Sequence, residues 1–234
     1  MPNKFKHRSL QKEMLDEPNI DANLLRKNLK ELDFLNKFTG GYRISMKGIK
    51  QLVYIHNKTY HIVDLGCGSG DFLVNIANWA RKNNLKVQLT GVDFNPDAIA
   101  YLNTHCAEYP EINGVCMNYS DFLSENKNID IVHCSLFCHH LSHEELVDLF
   151  VYFKQNLQCG FVINDLKRNW MAYSAAWLFP RLLNGSELAK NDGPISVLRG
   201  FRFNEIGQLM ATANIKNYSI YKAWPFRFLV VGYI

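Results

Sequence analysis

The stretch from Tyr60 to Asp71 constrains this chain most. An apolar run, YHIVDL, enters Gly66-Cys67-Gly68-Ser69-Gly70, and a helical pattern starts at once from Asp71. A glycine-rich turn between strand and helix presents bare backbone and a helix N-terminus at the carboxyl edge of a sheet, where a ligand can meet them. Around it, short apolar runs alternate with helical stretches, the pattern of βαβ units on a parallel sheet. Strands are predicted over 60–65, 87–92, 114–118, 129–134 and 160–164, with helices over 71–83, 96–107 and 143–156. Asn95 before Pro96 reads as a helix cap, and Ser142 with Glu145 as a capping box. A helix over 203–213 and strands over 216–223 and 226–233 close the chain.

The expected fold is α/β: a doubly wound, mainly parallel seven-stranded sheet. Before Lys58 the spacing of Leu24, Leu25, Leu29, Leu32 and Leu35 is helical, and Gly40-Gly41 breaks it. Residues 1–57 are therefore expected to form an N-terminal helical cap, and 58–234 the ligand-binding α/β domain. Lys167 to Gly200 is too long for a plain connection and is expected to form a helical lid insertion after the fifth strand.

The glycine loop gains meaning from Asp93, 23 residues beyond Gly70, where the second strand ends. A carboxylate there can accept hydrogen bonds from both ribose hydroxyls, so the ligand should contain a nucleoside. A dinucleotide fingerprint would want glycine or alanine at position 71, but Asp71 stands there. A carboxylate in the first helical turn repels a pyrophosphate and suits a cationic nucleoside ligand.

VDLGCGSGD followed by TGVDFNPDAI resembles the first two motifs of the class I, Rossmann-like S-adenosylmethionine-dependent methyltransferases. MNYSDF (117–122) and IDIVHCSLFCHHL are similar to that family's next two, and the resemblance spans roughly Tyr60 to Asp165. It implies S-adenosyl-L-methionine as cofactor and S-adenosyl-L-homocysteine as product. It further implies that Gly66, Gly68 and Gly70, with Cys67, approach the methionine portion, Asp64 organises that loop, and Asp71 faces the ammonium end. Asp93 and Phe94 would take the ribose side, Asp121 and Phe122 the adenine, and Cys134 with Ser135 the methionine moiety. Within the superfamily the look is of bacterial small-molecule enzymes of the ubiquinone/menaquinone-type and phenol-modifying group. Cys134-Ser135-Leu136-Phe137 stands where amino-methyltransferases of DNA carry an Asn/Asp-Pro-Pro-Tyr-type motif, which disfavours that chemistry.

The acceptor is expected to be a small, aromatic molecule, methylated at the hydroxyl of a phenolic or polyketide-like compound. Trp170, Tyr173 and Trp177, in a helix that Pro180 should end or kink, would offer it a flat surface, unless they pack as core. Arg199 and Arg202 are the cations expected to orient an anionic group; NDGPISVLRGF resembles a segment of small bacterial methyltransferases without carrying a role over. His140 is the candidate base just past the fourth strand, with His139 as the competing assignment. His133, Cys134, Cys138, His139, His140 and His143 lack the paired spacing of a structural zinc site, and no metal is expected. C-methylation of a quinol-like ring, a catalytically silent S-adenosylmethionine-binding protein and an aminopropyl-transferase relative are the alternatives.

Composition bounds the partners. A net charge of +4 with mixed signs does not argue for nucleic acid. The most apolar run, Trp170 to Pro180, is shorter than the roughly 18 residues an integral membrane span requires. The six cysteines and the absence of an apolar core in MPNKFKHRSLQKEMLDE point to reduced thiols in a cytoplasmic protein.

Overall fold

In β1 (Thr59–Leu65), Tyr60 and Ile62 pack to one side of the sheet while Val63 and Leu65 pack to the other, so both faces of the strand are covered. The same double burial recurs through the central strands of the computed structural model, which describes residues 2–17, 19–55 and 57–234. The other strands are β2 (Lys86–Asp93), β3 (Ile112–Cys116), β4 (Ile129–Ser135), β5 (Leu157–Leu166), β6 (Tyr218–Ala223) and β7 (Arg227–Tyr233). Their order is β3-β2-β1-β4-β5-β7-β6. β1 to β5 run parallel; β7 pairs antiparallel with both β5 and β6. The expected doubly wound, seven-stranded sheet is therefore present. Chain order reverses between β1 and β4, which opens a crevice at their carboxyl ends.

Nine α-helices accompany the sheet among the described residues. α2 (Gly41–Leu52), α3 (Asp71–Lys82) and α4 (Pro96–His105) cover one face through Ile49, Leu52, Leu73, Ile76 and Leu102. α5 (Tyr119–Glu125), α6 (His143–Asn156) and α9 (Phe203–Thr212) cover the other, centred on Phe122, Phe150, Phe153, Leu209 and Met210. α1 (Ala22–Phe38), α7 (Trp170–Leu182) and α8 (Glu187–Arg199) stand outside these layers, α8 contacting both α1 and α7.

Several boundaries depart from the sequence reading. β5 starts at Leu157, directly after α6, because Leu157 and Cys159 are buried already. α2, in the expected N-terminal cap, packs on the sheet against β5, β7 and β4. Its Gly48 makes this possible: a Cβ there would come within 2.5 Å of Val162 Cγ1 on β5. Pro180 does not end α7, which runs two residues further. Proline lacks the N–H that would bond the carbonyl of Ala176 four residues back. Gly193 of α8 packs close to that carbonyl, so the two helices meet where the proline freed it.

Candidate active site

At the crevice between β1 and β4 lies a cavity of about 590 Å³. Its floor is the glycine loop. Gly66 and Gly68 have φ of 67° and 52°, a left-handed backbone that side chains disfavour, and Gly66 N and Cys67 N donate to Val92 O at 2.8 and 3.2 Å. The loop is thereby tied to the end of β2, where Asp93 completes the link. Asp93 Oδ2 accepts from Gly68 N at 3.1 Å and Oδ1 from Asn95 N at 3.0 Å. Burial pushes the Asp93 carboxyl up, against the pull of these two amides.

The opposite end of the loop is also acidic. Asp71 opens α3, accepts from Ser69 Oγ, and lies 3.1 Å from His105 Nε2. Asp64 Oδ1 is 2.6 Å from His133 Nδ1, and His133 Nε2 is 2.8 Å from Ser45 Oγ on α2. Asn164 donates to the same hydroxyl at 3.0 Å. A wholly buried polar chain thus fixes Asp64 beneath the cavity and α2 against the sheet.

Of the residues singled out in the sequence, Asp64, Gly66, Cys67, Gly68, Asp71, Asp93, Phe94, Ser135, His140 and Arg199 line this one cavity. Gly70 lies just behind as the left-handed cap of α3. Asp121 and Phe122 do not reach it: Asp121 is exposed on the first turn of α5, and Phe122 is in the core. Met117, Asn118 and Tyr119 form that wall instead. The difference arises because Asn118 caps α5, accepting from Ser120 N at 2.9 Å, so the chain turns into a helix before Asp121. Cys134 points into the core, one strand position before the cavity wall at Ser135.

The lid expectation fares similarly. Only Arg199 of residues 167–200 lines the cavity, whereas Trp170, Tyr173 and Trp177 do not. Trp170 and Trp177 are exposed; Tyr173 accepts from Lys4 Nζ at 2.6 Å. Arg202 is exposed too, donating to Phe5 O at 2.7 Å.

What closes the cavity comes from the N-terminus. Leu25, Leu29 and Leu32 of α1 line it with Asp33 and Asn36, and Tyr42 of α2 joins them. A strap over residues 8–16 adds Lys12, Leu15 and Asp16. Residues of NDGPISVLRGF fasten this strap, Ser196 among them by donating to Glu13 Oε2 at 2.6 Å. Asp192 accepts from Met14 N and Leu15 N at 2.8 and 3.0 Å, and Arg199 Nη1 donates to Asp16 Oδ2 at 2.7 Å. Arg8 reinforces it by donating to Leu141 O at 2.8 Å. The α1 stripe was legible, although leucines at that spacing are ordinary core. The strap has no periodicity, so nothing in its sequence marks it.

The strap meets the two histidines. His140 Nδ1 is 2.6 Å from Asp16 Oδ1, at the cavity wall. Burial would raise the Asp16 carboxyl, but His140, the Glu13 amide and Arg199 together hold it below the usual carboxylate range. His139 is buried outside the cavity, its Nδ1 2.7 Å from Asp165 Oδ1. Glu13, His139 and His140 each offer a donor within 4.8 Å of the others, a grouping of the kind a metal ion needs. A fixed cation already faces it: the Arg199 guanidinium lies 3.7 Å from Glu13 Oε1. Burial raises the Glu13 carboxyl to about 7.

Residues 62–160, which carry the glycine loop, Asp93 and the fourth strand, match the protein family described as a methyltransferase domain. The chain therefore carries a methyltransferase domain. The methyltransferase shares its fold with the plantazolicin methyltransferase BpumL, solved with a monoazolic desmethylPZN analogue and S-adenosylhomocysteine. That likeness has a TM-score of 0.65 at 17% identity over 89% of this chain and 88% of that one. A SAM-dependent methyltransferase from Aquifex aeolicus gives 0.62 at 15% identity, over 92% and 100%. The CMeT domain of the citrinin polyketide synthase gives 0.54 at 11% identity, over 75% and 46%. No curated protein matches the methyltransferase in sequence. No described helix is long and apolar enough to cross a membrane.

Proposed function

We propose that this methyltransferase transfers the methyl group of S-adenosylmethionine to a hydroxyl of a small phenolic or polyketide-like compound held under the N-terminal strap. The observation that carries the reading is a single cavity with Asp93 and the glycine loop on its floor and the His140–Asp16 pair on its wall. The residues fit the cofactor. Asp93 retains lone pairs for ribose hydroxyls beyond its two amide bonds, and Asp64 and Asp71 offer negative charge to an ammonium group. At Gly66 a Cβ would lie 2.6 Å from the Phe137 ring, so the loop and that ring leave no room for a side chain there.

Bound S-adenosylmethionine supplies an electrophilic methyl on a sulfonium leaving group. The protein's own work is then positioning, which can supply on the order of 7–11 kcal/mol, and removal of one proton from the acceptor hydroxyl, typically worth about 10²–10⁴-fold. Leu15, Phe137 and Leu141 give the acceptor apolar walls, and Arg199 anchors the strap beside it. His140 receives the proton, its ring oriented by Asp16. His139 is less suited, being buried and paired with Asp165. The six free cysteines support a reducing, cytoplasmic setting.

The test is S-adenosylhomocysteine formation over a panel of phenols. Wild type should turn over at least one of them, and His140→Ala should lose roughly 10²–10⁴-fold in kcat with S-adenosylhomocysteine affinity unchanged. Equal turnover by both proteins removes His140 from the reaction.

A further inference from the structure

α7 leaves large apolar side chains open along its free surface. Trp170 is 65% exposed, Leu182 68% and Leu183, just beyond the helix, 71%; Met171, Trp177 and Phe179 are exposed as well. Ala172 is its one buried residue. Contiguous apolar patches of this kind mark docking surfaces rather than ordinary protein exterior. The helix contains neither Asp nor Glu, and its one charge, Arg181, has its guanidinium 4.5 Å from the Trp177 ring centre.

The patch continues onto α1. The turn after α7 is bonded to that helix, Ser186 N and Oγ donating to the Glu31 carboxylate at 2.8 and 2.6 Å. Residues three, four and seven beyond Glu31 share its stripe, and these are Phe34, Leu35 and Phe38, all exposed. Cations frame them: Arg26, Lys27, Lys30 and Lys37 are exposed along the same helix. The acids of α1 are engaged, Glu31 with Ser186 and Asp33 with Lys37 and Tyr42. Glu187, at the start of α8, is the exposed acid nearest the turn in sequence.

An aromatic, acid-free helix beside a row of exposed cations has the chemistry of an anionic lipid surface. Indole rings settle at headgroup level, and lysines meet phosphate while their stems lie along the apolar boundary. At 13 residues α7 is too short to span a bilayer, which needs about 20. We propose that α7 and the exposed stripe of α1 dock the protein peripherally on anionic membranes. This rests on surface chemistry and is independent of the acceptor's identity.

Co-sedimentation of the full chain with vesicles of phosphatidylcholine alone, and of phosphatidylcholine with phosphatidylglycerol, tests it. The protein should pellet with the anionic vesicles at low salt and be released by high salt. Lys27→Gln and Lys30→Gln should each weaken binding roughly fivefold, and Leu182→Asp with Leu183→Asp should abolish it. All four positions are exposed, and an unchanged circular dichroism melt verifies folding; the lysine variants test the same surface if the aspartate pair fails that check. The proposal is overturned if the protein does not pellet, or pellets equally with neutral vesicles. It is also overturned if the folded variants bind like wild type, or if light scattering shows a dimer that Leu182→Asp dissociates, since a second copy would then cover the face.

Discussion

Asp16 and His140 stand 124 residues apart in sequence and 2.6 Å apart in the fold, Oδ1 to Nδ1. The contact joins a strap without regular sequence pattern to the turn after β4, and it exists because Arg199 holds the same carboxylate from α8. If Asp16 orients the base, Asp16→Asn should lower kcat with a phenolic acceptor by less than His140→Ala does, leaving S-adenosylhomocysteine affinity alone. Unchanged kcat would assign Asp16 to strap anchoring alone.

Glu13 gives the strap a pH dependence. Its carboxyl lies at about 7 in the fold against 4.5 ordinarily, chiefly through burial. The folded state therefore binds more protons between these values. Stability from Glu13 is complete below about 4.5 and is lost as pH rises through about 7. Glu13→Gln should thus be more stable than wild type at pH 8, by about 1–3 kcal/mol, with the advantage vanishing near pH 5. Thermal melts at both pH values check this; a mutant destabilised equally at each would contradict it.

Gly48 sets the distance between α2 and β5. A Cβ there meets Val162 Cγ1 at 2.5 Å and Leu229 Cδ1 at 3.2 Å. Gly48→Val should cost about 1–3 kcal/mol in urea denaturation, the range of core overpacking. A wild-type midpoint would show that α2 lifts freely from the sheet.

Trp177 projects from α7 away from the cavity. Trp177→Ala should change stability by less than about 0.5 kcal/mol and leave turnover of a water-soluble acceptor intact. A fall in acceptor use would bring α7 back to the active site as a lid.

The sheet was readable because parallel strands buried on both faces become uninterrupted apolar runs, as in IDIVHC, and because Asn95-Pro96 and Ser142/Glu145 punctuate the helices that follow. The cavity floor was equally legible, since loop, Asp93 and helix start are close in sequence and fixed by backbone geometry. Its roof was not. Tyr42, Leu15 and Asp16 reach the site by packing against elements distant in the chain, and that information does not reside in local pattern. Asn118 shows an intermediate case: it can be recognised as a helix cap, and had it been so read, Tyr119 rather than Asp121 would have been placed at the wall. The aromatics of α7 mislead for another reason. Exposed, buried and ligand-facing tryptophans look alike until the surrounding surface is known.

Calorimetric titration with S-adenosylhomocysteine measures directly whether Asp93 holds the nucleoside of the cofactor. Wild type should bind at one site per chain, and Asp93→Ala should bind roughly 10–100-fold more weakly, the loss of hydrogen bonds to a charged group, with an unchanged circular dichroism spectrum. Equal affinity in the two proteins, or no binding by wild type, would contradict it.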